Sequence, residues 1–228
     1  MDNKEIILKV KDLSHASSCK THNHRIIDYF HFFSYEFKSQ HIYGVINSFG
    51  SGGQTLISVL AGYEENYQGE IFLNNRKVSH KELKNITCCI ESNPQYIKGN
   101  FFRKNSVISY LNKAIKNNMN FNDSLENVIK VFDLSRLNHD IRYTSGEQWR
   151  IILALGYCMG KKVFLFNWLN YWNLRFFLEE YKILLNYLKD KGCIVIIPTD
   201  KTEEIENLFD KIVHISNNLE GQLIQSRI

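Results

Sequence analysis

The chain is predicted to be a three-layer α/β protein, with a mainly parallel sheet, helices packed on it and a helical insert. Three observations predict this class. A short apolar run, Ile42 to Ile46, is followed by a loop carrying Gly50, Gly52 and Gly53, and then by Leu56, Val59 and Leu60 at helical spacing. Continuous apolar runs at Val163–Phe166 and Ile194–Ile197 have the character of strands buried on both faces, as parallel sheets require. Between them and the loop, from Pro94 to about Tyr143, the pattern turns helical, with Leu125, Val128, Ile129 and Phe132 on one face and Ser124 as its N-cap.

Composition narrows the function classes. A chain of 228 residues suits one domain, or one domain with an inserted subdomain. Its 44% hydrophobic content excludes general disorder. A net charge of +4 is no footprint for nucleic acid, so none is expected as a partner. No apolar run reaches the roughly 18 residues of a membrane span, and the start Met1-Asp2-Asn3-Lys4-Glu5 lacks a secretory apolar region. Five cysteines, an odd number without paired spacing, point to a reducing cytoplasm.

Taken in order, Ile6–Val10 and Phe33–Phe37 alternate like half-buried strands. The polar segment between them, with Cys19, His22 and His24, offers too few ligands for a metal and is read as a solvated loop. Ile86–Ile90 is a further buried strand. Phe177, Tyr181, Leu184 and Leu188 line one face of a late helix, and the tail to Ile228 has the character of short finishing strands.

Strand, glycine loop and helix together are the parts of a phosphate cradle. Glycines let backbone N–H groups converge on an anion, and the helix N-terminus adds partial positive charge. The candidate loop residues are Asn47, Ser48, Gly50, Ser51, Gly52, Gly53, Gln54 and Thr55. The full motif, Gly-x-x-x-x-Gly-Lys-Ser/Thr, is not met. With Gly52 as the second glycine, the first falls on Asn47, the lysine on Gly53 and the hydroxyl on Gln54. Alone, such a loop is equally an ordinary glycine turn.

The wider chain resembles the nucleotide-binding subunit of an ABC transporter. Ala61-Gly62 and Gln68-Gly69-Glu70-Ile71 follow the loop as that family's "LAG" and "SGEI" do. Thr144-Ser145-Gly146-Glu147-Gln148 looks like the LSGGQ signature, and Val163-Phe164-Leu165-Phe166-Asn167-Trp168 like the Walker B strand. Cys193 to Asp200 is similar to the last core strand and switch-histidine loop. The landmarks keep family order across roughly the whole chain. The resemblance implies a P-loop NTPase-like ABC ATPase fold over residues 1–228. An antiparallel N-terminal β part and a helical subdomain at about 95–150, gripping a membrane partner near Tyr96, Phe101 and Phe102, come with it.

The same resemblance marks what has changed. The adenine-stacking aromatic falls near Ser17, which has no ring. Glu91 stands where the family has a magnesium-ligating Gln, Asn167 where it has the metal Asp, and Trp168 where it has the catalytic Glu. Leu174 stands in place of a loop Asp, and Thr199 in place of the switch histidine. Asn is a weak ligand for a hard cation, and indole accepts no proton. Losing a charge-assisted phosphate contact costs roughly 1.5–3 kcal/mol. A lost general base removes about 10²–10⁴ in rate. Catalytic residues and a metal site are therefore not expected, ATP binding is expected to be weak, and Mg²⁺ is not expected at the chain's own site.

Ser145, Gly146 and Gln148 remain, and the family's signature contacts the γ-phosphate held by the facing subunit. Ser145 is equally readable as a cap for the helix starting near Gln148. The expectation is a degenerate subunit, paired with an active ABC ATPase subunit and transmembrane permease subunits. It would lie at the inner face of the cell membrane through those partners only. A working ATPase with an unconventional site and a soluble regulatory module are the rival readings.

Overall fold

The computed structural model describes residues 5–20, 25–48, 50–90, 106–144, 146–169, 171–199 and 209–215. Two sheets organise them. A four-stranded antiparallel sheet has the order β2-β1-β4-β5, from β1 (Ile7–Lys20), β2 (Arg25–Lys38), β4 (Gln68–Leu73) and β5 (Arg76–Lys77). A five-stranded parallel sheet has the order β6-β7-β8-β3-β9, from β3 (His41–Ile46), β6 (Thr87–Ile90), β7 (Val163–Phe166), β8 (Ile194–Thr199) and β9 (Lys211–His214). This is the α/β architecture the sequence predicts.

The period-two apolar pattern builds the layers. Ile42, Ile46, Phe164, Phe166, Val195 and Ile197 point to one side of the parallel sheet and pack with the helices. Tyr43, Val45, Val163, Leu165, Ile194 and Ile196 point to the other, against β1, β2 and α1 (Gly53–Leu60). Strands buried on both faces need side chains apolar at every position, which explains why their sequences show runs rather than alternation.

Between β6 and β7 the chain forms α3 (Val107–Asn117), α4 (Leu125–Val131), a 3-10 turn at Ile141–Tyr143 and α5 (Gln148–Cys158). Ser124 caps α4 by accepting from the Asn127 N–H at 3.0 Å, as expected. The short α2 (His80–Ile86) precedes β6 and takes Ile86 out of the predicted strand. The long α6 (Tyr171–Asp190) buries Leu174, Tyr181, Leu184 and Leu188. The Phe177 side chain, residues 91–105 with Tyr96, Phe101 and Phe102, and the tail beyond 215 lie outside the described residues.

One expectation is corrected. The segment after Val10 is not a solvated loop: β1 and β2 form a hairpin of 14 residues a side. Leu13 and Phe30 are fully buried and Asp28 is 2% exposed. The pairing shifts register between Val10 and Leu13, and Asp12 and Phe32 have φ of 50° and 49°. Such bulges reverse the phase of the alternation, so the period-two signal stops although the strand continues. His22 and His24 lie outside the described residues.

Candidate functional site

Parallel pairing puts the C-terminal ends of β3, β6, β7 and β8 on one edge, and the candidate loop grows from that edge. The Asn47 N–H donates to the Thr199 carbonyl at 3.1 Å, closing the end of β3 onto β8. The Thr199 hydroxyl donates to the Leu169 carbonyl at 2.7 Å, and the Leu169 N–H to the Pro198 carbonyl at 3.0 Å. The Asn167 N–H reaches the Ile90 carbonyl at 3.4 Å. The sheet thus assembles Asn47, Asn167 and Thr199, while Glu91 lies outside the described residues. Trp168 follows Asn167 and is half-buried.

Thr199, at the family's switch-histidine position by resemblance, is fully buried and is the last residue of strand β8. Pro198 fits the strand because its carbonyl, not the missing N–H, is what Leu169 uses. With its hydroxyl held inside, Thr199 fixes the sheet edge. Leu174, aligned to a loop carboxylate, is a fully buried helix residue instead.

The loop turns through a Ser51 N–H to Ser48 carbonyl bond of 3.0 Å and enters α1 with Gly52 at φ +96°. Here glycine is required twice. The left-handed backbone disfavours a side chain, and a Cβ on Gly52 would lie 2.6 Å from both the Tyr29 carbonyl and the Phe30 Cβ. Gly53 is crowded by another neighbour: a Cβ there would sit 2.5 Å from Asn47 Oδ1. The Asn47 amide donates to the Ser48 carbonyl at 3.1 Å, whereas its Oδ1 is buried and meets no donor among the described residues. Asn where the motif has glycine and glycine where it has lysine are therefore one steric arrangement. The larger side chain has moved from the first helical residue to the strand end. Ser48 is exposed; Gly50, Ser51 and Gln54 are half-buried.

Thr55 is fully buried, and its hydroxyl donates to the Asp28 carbonyl at 2.8 Å. Ser17 Oγ lies 2.6 Å from that hydroxyl, and with the Thr55 proton committed, Ser17 is the donor. The two residues tie the hairpin to α1 and commit the Thr55 hydroxyl to that contact.

Asp28 is the residue that sequence reasoning missed. One carboxylate oxygen accepts from the Gly52 N–H at 2.7 Å and the other from the Thr55 N–H at 2.7 Å. Helix α1 has no side-chain cap of its own and no acidic residue in its first turn. Strand β2 instead supplies, through Asp28, a negative charge that complements the positive N-terminal end of the helix dipole. The available signal was an Asp two residues before an apolar Phe30, in a segment whose phase the bulges obscured.

The signature-like turn is built differently. Gly146 has φ +89°, is exposed, and a Cβ there would meet nothing within 4 Å among the described residues. Glu147 is 9% exposed. It accepts from the N–H groups of Ser135 and Arg136 at 3.0 and 3.2 Å and from the Ser135 hydroxyl. Burial pushes its pKa up, but the Ser135 and Arg136 hydrogen bonds outweigh burial and hold it below the usual carboxylate range. Gln148 opens α5 and is half-buried; the N-cap position falls on Glu147, without a side-chain cap bond. The N-cap position thus falls two residues after Ser145, which itself lies outside the described residues. Among the described residues no hydrogen bond joins this turn to the glycine loop.

Among the described residues no group of His, Cys, Asp or Glu could hold a metal ion, and no helix is long and apolar enough to cross a membrane. Cys88, Cys89, Cys158 and Cys193 are buried.

Comparison with known proteins agrees with this architecture. Residues 30–167 match the sequence model of the ABC transporter family. The vitamin B12 import ATP-binding protein BtuD of Vibrio atlanticus (strain LGP32) is 24% identical over 137 residues, covering 55% of this chain and 52% of that protein. The chain therefore spans about half the length of that relative. A putative ABC transporter ATP-binding protein from Pyrococcus furiosus superposes with a TM-score of 0.61 at 16% identity, over 92% of this chain and 97% of that one. The structure of cbiO1 from Clostridium perfringens, part of the ABC transporter complex cbiONQ, gives 0.66 at 17% identity over 93% and 86%. The dimeric bacterial ABC transporter cassette MJ0796 gives 0.62 at 16% over 91% and 94%. At such identities these structures speak for the fold.

Proposed function

Because the chain belongs to the ABC transporter family, with more than half its length inside the family match, we propose that it is a catalytically impaired ATP-binding subunit of such a transporter. The observation that carries the reading is the coupled exchange at the loop. Asn47 fills the space beside Gly53, so the phosphate lysine is missing and the room for its side chain is taken. Asn167 and Trp168 at the end of β7 supply neither a carboxylate for magnesium nor a base for water.

The chain acts as a single nucleotide-binding-like domain, residues 1–228, in which about 95–150 form an inserted helical subdomain. It pairs head to tail with an active ATPase subunit and with transmembrane permease subunits, and is held at the inner membrane face by them. MJ0796 in its dimeric form and cbiO1 as part of a complex support assembly as the working state. Weak ATP binding is assigned to Asn47, Ser48, Gly50–Gln54 and Thr55, with Glu91 and Asn167 bordering it; Mg²⁺ is not held there. Ser145, Gly146 and Gln148 complete the partner's site in trans, and the exposed, open turn at Gly146 supports that role.

Phosphate release by the purified chain, with Trp168→Ala as a contamination control, tests the first half. No magnesium-dependent turnover is expected, and robust turnover abolished by Trp168→Ala would defeat the reading. In the reconstituted complex, Ser145→Arg is expected to stop turnover and Gly53→Lys to change it little. Full activity of Ser145→Arg would remove the role in trans.

A further inference from the structure

We propose that Asp28 is an intramolecular phosphate surrogate: its carboxylate occupies the anion position of the glycine loop and competes with nucleotide phosphates for it, which keeps nucleotide binding weak. The inference rests on the reading of the loop as a degenerate nucleotide site. It goes further by naming a residue that competes for the site, rather than residues the site lacks.

The geometry is that of a bound anion. The N–H groups of Gly52 and Thr55 converge from a glycine turn and a helix N-terminus, the arrangement that cradles phosphate. Each is taken by a different carboxylate oxygen, at the short distances of charge-assisted bonds. Asp28 is 2% exposed and forms no ion pair among the described residues, so the loop's own N–H groups and helix dipole are what hold its charge. A second, independent observation is Asn47 Oδ1, buried, unpartnered among the described residues and directed at the first helical residue. Two side-chain oxygens thus crowd a loop whose motif supplies no lysine.

An incoming phosphate needs the same N–H groups and brings a like charge within contact distance, in a place where water does not screen it. It also has no room to push strand β2 aside, because β2 abuts the loop at Gly52 through Tyr29 and Phe30. Removing the carboxylate charge while keeping its shape releases one N–H and abolishes the repulsion. That change is expected to tighten phosphate binding by at least about 10-fold.

The test uses the full chain with metal-free ADP and inorganic pyrophosphate as probes, measured by calorimetry and thermal unfolding. Wild type and Asp28→Glu, which keeps the charge, are expected to show no saturable binding at millimolar probe. Asp28→Asn is expected to bind saturably, and pyrophosphate to raise its melting temperature and not that of wild type. If Asp28→Asn folds and binds no better than wild type, Asp28 is only a cap for α1 and the proposal is overturned. Binding by Asp28→Glu as good as by Asp28→Asn, or tight ADP binding by wild type, overturns it too. Should Asp28→Asn fold poorly, pyrophosphate is expected to restore its folded signal, and an absent response counts against the proposal. Failure of the wider reading has a separate signature, magnesium-dependent turnover by wild type.

Discussion

Two glycine turns lead into helices in this chain, and they are built in opposite ways. At Gly52 the turn is packed from every side: the Tyr29 carbonyl and Phe30 approach its α-carbon, Asn47 covers the next residue, and Asp28 holds its N–H. At Gly146 the backbone has nearly the same left-handed φ, yet among the described residues nothing lies within 4 Å of an added Cβ, and the inward-turned Glu147 helps tie the turn down. The difference teaches which turn the chain itself has filled. The glycine loop is packed by its own side chains, whereas the turn at Gly146 leaves that space open among the described residues.

The sharpest way to break that comparison is to add one methyl group at each turn. Gly52→Ala is expected to lose about 2–5 kcal/mol, from left-handed strain together with overpacking against β2. Urea unfolding of both variants reads the contrast, and equal losses at Gly52 and Gly146 would abolish it. Next in size is Gly53→Lys, expected to lose about 1–3 kcal/mol through the collision with Asn47. Combining it with Asn47→Gly is expected to recover most of that loss, which a double-mutant cycle measures as coupling.

Glu147→Gln sharpens the other side. It is expected to cost about 1–2 kcal/mol at neutral pH, by weakening the bonds from Ser135 and Arg136. The Glu147 pKa lies below its ordinary 4.5, so its stabilisation is full above that value and is lost as pH falls through the folded pKa. The difference between wild type and Glu147→Gln should therefore shrink on acidification, in denaturant curves taken from neutral pH downward. The smallest effect is reserved for Gly146→Ala, about 1 kcal/mol from the φ alone. A larger loss would mean that the turn is packed after all.

Much of this was legible in the chain itself. Apolar runs announced the buried parallel strands because a strand covered on both faces needs apolar side chains at every position. Leu56, Val59 and Leu60 announced α1, and all three are fully buried. That Gly53 stands at the motif's lysine position was readable from the loop's own spacing, and Asn167 and Trp168 were singled out through the resemblance. The β1–β2 hairpin was not legible beyond Val10, because bulges break the period on which strand reading depends.

What only the tertiary structure decided is how the vacated positions are used. Asp28 and Gly52 are 24 residues apart in sequence, and no local pattern predicts that one carboxylate meets two N–H groups of the loop. Asn47 and Gly53 are near in sequence, but the exchange of bulk between them becomes visible only when a turn folds one onto the other. Thr199 and Thr55 look like free hydroxyls until their acceptors, Leu169 and Asp28, arrive from other strands and loops. The sequence by itself determined the layers, because those depend on residue type and periodicity. Where a buried polar group finds its partner depends on chain segments brought together across the fold, and that is decided by packing alone.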